Sequence, residues 1–74
     1  MTKDELKKKI NQALNQKPSW YRLGQFIFNW VDFEYGICKE VMQRYGVDCF
    51  YEDAHIERFL EACVAVLNEK ESMK

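Results

Sequence analysis

The sequence predicts an all-α fold, a compact bundle of about four short helices in one domain spanning residues 1–74. Three observations predict it. Apolar residues recur at three- and four-residue spacing through most of the chain, the mark of amphipathic helices. Punctuation is sparse, one Pro and three Gly, and Pro18, Gly36 and Gly46 fall between the periodic stretches. Hydrophobic residues make up 47% and aromatic residues 15% of the chain, which suffices for one core but not for two at this length.

The first helix is predicted over about 3–16. Thr2 followed by Glu5 has capping-box spacing, and Asp4 and Glu5 sit at the favourable end of the helix dipole. Leu6, Ile10, Ala13 and Leu14 form a narrow apolar stripe, with Lys7, Lys8, Lys9 and Asn11 facing away. Pro18 ends this helix and biases Lys17 towards extended backbone. Ser19 then caps a second helix, about 20–33. Trp20, Leu23, Phe26, Ile27, Trp30 and Val31 share one face, which Tyr21, Phe28 and Phe33 widen at its edges. That arc exceeds the roughly 100° of an ordinary surface helix and predicts a central position.

Gly36 marks a break before a third helix, about 37–45, with Ile37, Cys38, Val41, Met42 and Tyr45 inward and Gly46 as its C-terminal cap. The stretch "VDCFYED", residues 47–53, reads as a structured loop whose Phe50 and Tyr51 plug the core. Asp53 is a suitable cap for a last helix, about 54–69, carried by Ile56, Phe59, Leu60, Cys63, Val64 and Leu67. The polar tail after Glu69 is expected to fray. Residues 19–69 are thus the core unit, to which the basic first helix is added.

Charge and cysteine usage limit the function. Eleven basic and twelve acidic residues give a net charge of −1, which argues against broad electrostatic capture of nucleic acid or an anionic membrane. The charges are uneven: Lys3, Lys7, Lys8, Lys9 and Lys17 crowd the first helix and are the nucleic-acid candidates. No Arg-rich recognition helix accompanies them. Three cysteines without a CxxC pair, and a single His, argue against a disulfide framework or a zinc site. Reduced, buried thiols point to the cytoplasm. No apolar run approaches a membrane span, and residues 1–17 are too polar for a signal peptide.

Asp48, Glu52, Asp53, Glu57 and Glu61 form an acidic concentration that lacks the calcium-loop pattern and reads as solvated charge. His55 has Cys49 and Asp53 near it in sequence, yet it reads as a structural residue beside an inert thiol. No catalytic constellation, metal or cofactor is expected, and the chain is not read as an enzyme.

Arg22, Gln25, Asn29 and Asp32 fall on one side of the second helix. Gln and Asn could read amide or base edges, and Arg could fork onto a carboxylate or phosphate. The favoured reading is a clamp, because polar side chains mostly serve backbone groups and an irregular loop must satisfy its own. Gln25 and Asn29 would then hold the loop together with Asp48, Tyr51 and Asp53. Arg22 would be available to a partner along with Trp20, Tyr21 and Phe28, the members of the aromatic surplus placed at the rim.

Two motifs carry a resemblance. "RLGQFIFN" (Arg22, Gly24, Gln25, Phe28, Asn29) and "VDCFYED" (Val47, Asp48, Phe50, Tyr51, Asp53) resemble those of a loose group of small, largely uncharacterised proteins from bacteria and their phages. In that group an Arg-x-Gly-Gln-x-x-Phe-Asn helix precedes an Asp-x-Phe-Tyr loop. The resemblance covers about residues 20–60. It implies one structural unit of helix and loop and a phage or mobile-element origin, and it implies no activity. The expected function is protein–protein interaction, as an accessory or inhibitory factor that blocks a host factor, with homodimerisation offsetting the small core. The alternative is nucleic-acid binding through the first helix.

Overall fold

A computed structural model, describing residues 1–72, contains four helices: α1 (Lys3–Ala13), α2 (Leu23–Tyr35), α3 (Cys38–Tyr45) and α4 (Ile56–Ser72). Short 3₁₀ turns lie at Leu14–Gln16 and Asp53–His55, and no strand occurs among the described residues. The Thr2 hydroxyl accepts the Glu5 N–H at 3.2 Å, so α1 starts where its capping box places it. Gly36 and Gly46 end α2 and α3 in left-handed backbone, φ 64° and 63°, where a side chain would be strained.

The centre of the bundle is α4, not α2. It buries Phe59, Leu60, Ala62, Cys63 and Val66 and packs against both α1 and α3. Of the broad face expected of α2, only Ile27 and Val31 are buried along with Gly24. Phe33, expected to widen that face, is 86% exposed. Breadth of an apolar arc therefore did not measure centrality here; part of the arc faces solvent. Met42 and Tyr45 of α3, expected inward, are about half exposed, and the buried residues of this segment are Ile37, Cys38 and Val41.

Both ends of α2 and α4 depart from expectation for identifiable reasons. Residues 18–21 form a tight turn, with the Tyr21 N–H donating to the Pro18 carbonyl at 3.0 Å, so α2 begins at Leu23 and Ser19 caps nothing. At the other end of the chain α4 runs to Ser72 instead of fraying after Glu69. A charge network holds it there: Arg44 pairs with Glu40 at 3.2 Å and with Glu69 at 2.7 Å, and Lys70 pairs with Glu40 at 3.3 Å. The rest of the tail, residues 73–74, lies outside the described residues.

Charge also fixes α1. Leu6 and Ile10 are buried against α4. Above them Lys7 reaches Glu57 at 2.7 Å, and Lys3 reaches both Glu57 and Glu61, the latter at 3.0 Å. The rising numbers on α1 against falling numbers on α4 make the pair antiparallel. Part of the acidic concentration expected to be solvated is thus the counterpart of the basic first helix.

Lys3 and then Lys7 hold the Glu57 carboxyl down to about 2. A carboxyl whose folded pKa lies below its unfolded value favours folding above the unfolded pKa, and that contribution fades as pH falls through the folded one. The melting temperature of the wild type should therefore fall more steeply than that of Glu57→Gln between about pH 5 and pH 2. The difference should shrink in about 1 M salt, because the pairs are exposed. Parallel declines of the two proteins in thermal melts would refute the pairing.

Candidate interaction surface

The surface is built on one close approach. Gly24, in the first turn of α2, lies so near the 47–53 loop that a Cβ there would stand 2.1 Å from the Cys49 carbonyl oxygen and 2.7 Å from Asp53 Oδ1. Only a residue without a side chain lets helix and loop meet this way. Around the contact the hydrogen bonds are reciprocal. The Gly24 N–H donates to Asp53 Oδ1 at 2.9 Å, and the Cys49 thiol donates to the Gly24 carbonyl at 3.2 Å. Asp53 is thus a helix cap, as its residue type suggests, but for α2 and not for α4.

Arg22 completes the junction. Its guanidinium donates to the Tyr51 carbonyl at 3.2 Å and the Phe50 carbonyl at 3.3 Å. The fork of Arg suits two successive carbonyls that the loop leaves without secondary-structure partners. Inside the loop, Asp48 Oδ1 accepts the Phe50 N–H at 3.2 Å, an Asx-type turn. Cys49 is the loop residue that enters the core, fully buried, whereas the Phe50 ring is half-buried and Tyr51 is 73% exposed. The expected plug was wrong by one and two residues: the turn at Asp48 sends Cys49 inward and the next rings outward.

The clamp is therefore real but differently staffed. Arg22, read as the member of the row that could serve a partner as well as the loop, is its principal side chain, and Asp48 and Asp53 take part. Gln25 makes no side-chain hydrogen bond among the described residues. Asn29, on the exposed surface, donates to the Tyr21 hydroxyl and not to the loop. Tyr51 contributes its carbonyl, not its side chain. None of the row Arg22, Gln25, Asn29 and Asp32 is buried.

The aromatic residues separate onto two flanks of α2. On the loop side Phe28 packs at 5.6 Å from Phe50 and 5.5 Å from Phe59, and Phe50 packs at 4.8 Å from Tyr51. Phe28, Phe50, Tyr51, Met42 and Asp48 line a groove of about 220 Å³. A neighbouring groove of about 380 Å³ shares Phe28 and Met42 and adds Asp32, Cys38, Lys39 and Gln43. On the other flank Trp20, 78% exposed, stacks edge-on against Tyr21 at 5.3 Å, and Tyr21 against Phe26 at 6.2 Å. Of the three aromatics expected to be exposed, Trp20 is; Tyr21 and Phe28 are half-buried, and Phe28 packs against the core. Met42 was missed as a lining residue because its spacing matched the inward face of α3.

The groups that could carry chemistry are poorly disposed for it. Burial pushes the Cys38 and Cys49 thiols up to about 12 and raises Cys63 as well. Cys38 donates to the Phe28 carbonyl at 3.3 Å. His55 Nδ1 lies 3.3 Å from the Asp48 carbonyl. Among the described residues no group of three or more His, Cys, Asp or Glu side chains is placed to hold a metal ion, and no helix is long and apolar enough to cross a membrane. Of the candidate nucleic-acid lysines, Lys3 and Lys7 are engaged with α4, and Lys17 donates to the Tyr21 and Pro18 carbonyls at 2.7 and 3.3 Å. Lys8 and Lys9 remain exposed.

No family model, curated protein or solved structure matches the chain.

Two substitutions probe the junction. Gly24→Ala should destabilise the fold by about 1–3 kcal/mol in urea titration, even though Ala is the better helix former by about 1 kcal/mol, because its Cβ displaces the loop. A stabilised Gly24→Ala protein would mean the contact is absent. Asp53→Ala should cost about 0.5–2 kcal/mol through loss of the α2 cap, with Asp53→Asn losing less, since its side-chain oxygen can still accept the Gly24 N–H.

Proposed function

We propose that the chain acts in the cytoplasm by protein–protein contact, as an accessory or inhibitory factor and not as an enzyme. The observation that supports this most is the groove where Phe28, Met42, Phe50 and Tyr51 meet, because apolar side chains there are left open on a backbone that Arg22, Gly24 and Asp53 hold in place. Rigid aromatic anchors next to a polarizable Met are well suited to take an apolar side chain. Asp32 and Asp48 border the two grooves against the single cation Lys39. The occupant that fits is a helical segment of another protein with one aliphatic or aromatic anchor flanked by Lys or Arg. The resemblance to small bacterial and phage proteins makes a host protein the natural owner of that segment.

Nucleic-acid binding through α1 is the weaker reading, since α4 neutralises two of the five lysines. The proposal is tested by presenting immobilised wild type and Met42→Lys to bacterial lysate and then measuring the affinity of any retained protein for both. The wild type should bind a basic amphipathic segment with a dissociation constant at least about tenfold lower than the variant. Equal affinity, or retention of nucleic acid alone, would overturn it.

A further inference from the structure

The second aromatic flank of α2 carries a separate inference. Trp20 and Tyr21 of the turn before α2 and Phe26, Trp30 and Phe33 of α2 lie away from the loop, with Trp30 packed on one side against the core. Trp20 and Phe33 are 78% and 86% exposed, and the others are half-buried. The ridge is held in place: Asn29 donates to the Tyr21 hydroxyl, and Lys17 donates to the Tyr21 carbonyl at 2.7 Å. We propose that this ridge packs against the same ridge of a second copy of the chain, forming a two-fold symmetric dimer.

Two arguments choose a second copy as the occupant. The first is charge. In a two-fold contact each residue near the axis meets its own kind, so a charge there meets its like. From Leu23 to Phe33 the only charged residue is Asp32, and it lines the Phe28 groove on the opposite flank. In a chain with 31% charged residues, the Phe26–Phe33 part of the ridge is free of charge, and the charges at its ends, Lys17 and Arg22 on one side and Glu34 on the other, lie away from an axis near Asn29. The groove, bordered by Asp32, Asp48 and Lys39, lacks that property.

The second argument is area. Full burial of the exposed parts of these five side chains would remove roughly 300–700 Å² of mainly apolar surface per copy, taking about 150–250 Å² for a whole aromatic side chain. A stable interface buries about 800 Å² per partner, of which about 65% is apolar in homodimers, or about 500 Å². The ridge therefore supplies an apolar area of the size that an ordinary dimer contact uses. Antiparallel α2 helices crossing near Asn29 would set Phe26 of one copy against Phe33 of the other, since the two lie about 10 Å apart along the helix.

Sedimentation equilibrium tests the proposal. The wild type should associate to twice its 8.9 kDa mass at micromolar concentration. Phe33→Glu should raise the dissociation constant about 100-fold or more while leaving the circular dichroism spectrum unchanged, because the side chain it replaces is almost fully exposed. Met42→Lys in the groove should leave the dimer intact, which separates this surface from the proposed partner site. Asn29→Cys should oxidise to a covalent dimer under mild conditions, with the three buried native thiols not competing. A wild type that stays monomeric at about 100 times the micromolar range, a monomer that uses Phe33 to bind a different protein, or a Phe33→Glu dimer of unaltered affinity would each overturn it.

Discussion

The structure depends on how closely the first turn of α2 approaches the 47–53 loop. A helix N-terminus leaves its first N–H groups without intrahelical partners, and a loop leaves its carbonyls without a ladder. Here each supplies what the other lacks. The Gly24 N–H finds Asp53, the Gly24 carbonyl receives the Cys49 thiol, and the Phe50 and Tyr51 carbonyls receive Arg22. The geometry tolerates no Cβ at position 24. Once the contact is made, Cys49 is carried into the core and Phe50 and Tyr51 are turned towards Phe28, so core closure and groove shape have one origin.

This explains what could be read from the sequence. Helices α1, α3 and α4, and both glycine caps, follow from local rules in which the interacting groups are three or four residues apart. The cap of α2 does not, because its acceptor lies 29 residues downstream. Asp53 announced itself as a cap by residue type, and only the tertiary fold says for which helix. Arg22 was legible as a carbonyl- or anion-binding side chain, but its target depends on which way the loop turns at Asp48. Gly24, a glycine inside a helical pattern, was the available sign of a close backbone approach.

The candidate surface was less legible than the fold because hydrophobic spacing does not distinguish a core face from an exposed one. Phe33 and Met42 keep helical register with buried neighbours, yet Phe33 is largely exposed and Met42 about half exposed. The breadth of the α2 arc was real, but it recorded more than one destination for its apolar residues: Ile27 and Val31 to the core, Phe28 to the loop, Phe26 and Phe33 to the outer flank. The lysine edge misleads in the opposite sense. Its basic pattern suggested phosphate contacts, whereas Glu57 and Glu61 provide the opposing charge from a helix some fifty residues away.

The distribution of stabilising contacts bears on why aromatic surface is retained. α1 and α3 are each bound to α4 by buried apolar residues and by ion pairs, while α2 buries Ile27 and Val31, packs Phe28, Trp30 and Tyr35 partly against the core, and is tied at its N-terminal end by the junction. It is the helix that carries both exposed aromatic flanks. A contact that covers either flank adds apolar burial to the fold. By linkage, any partner that binds only the folded chain stabilises it in proportion to the logarithm of its concentration over its dissociation constant. For a domain of this size, which buries only about 60% of its unfolded surface, binding and folding stability are therefore coupled through α2.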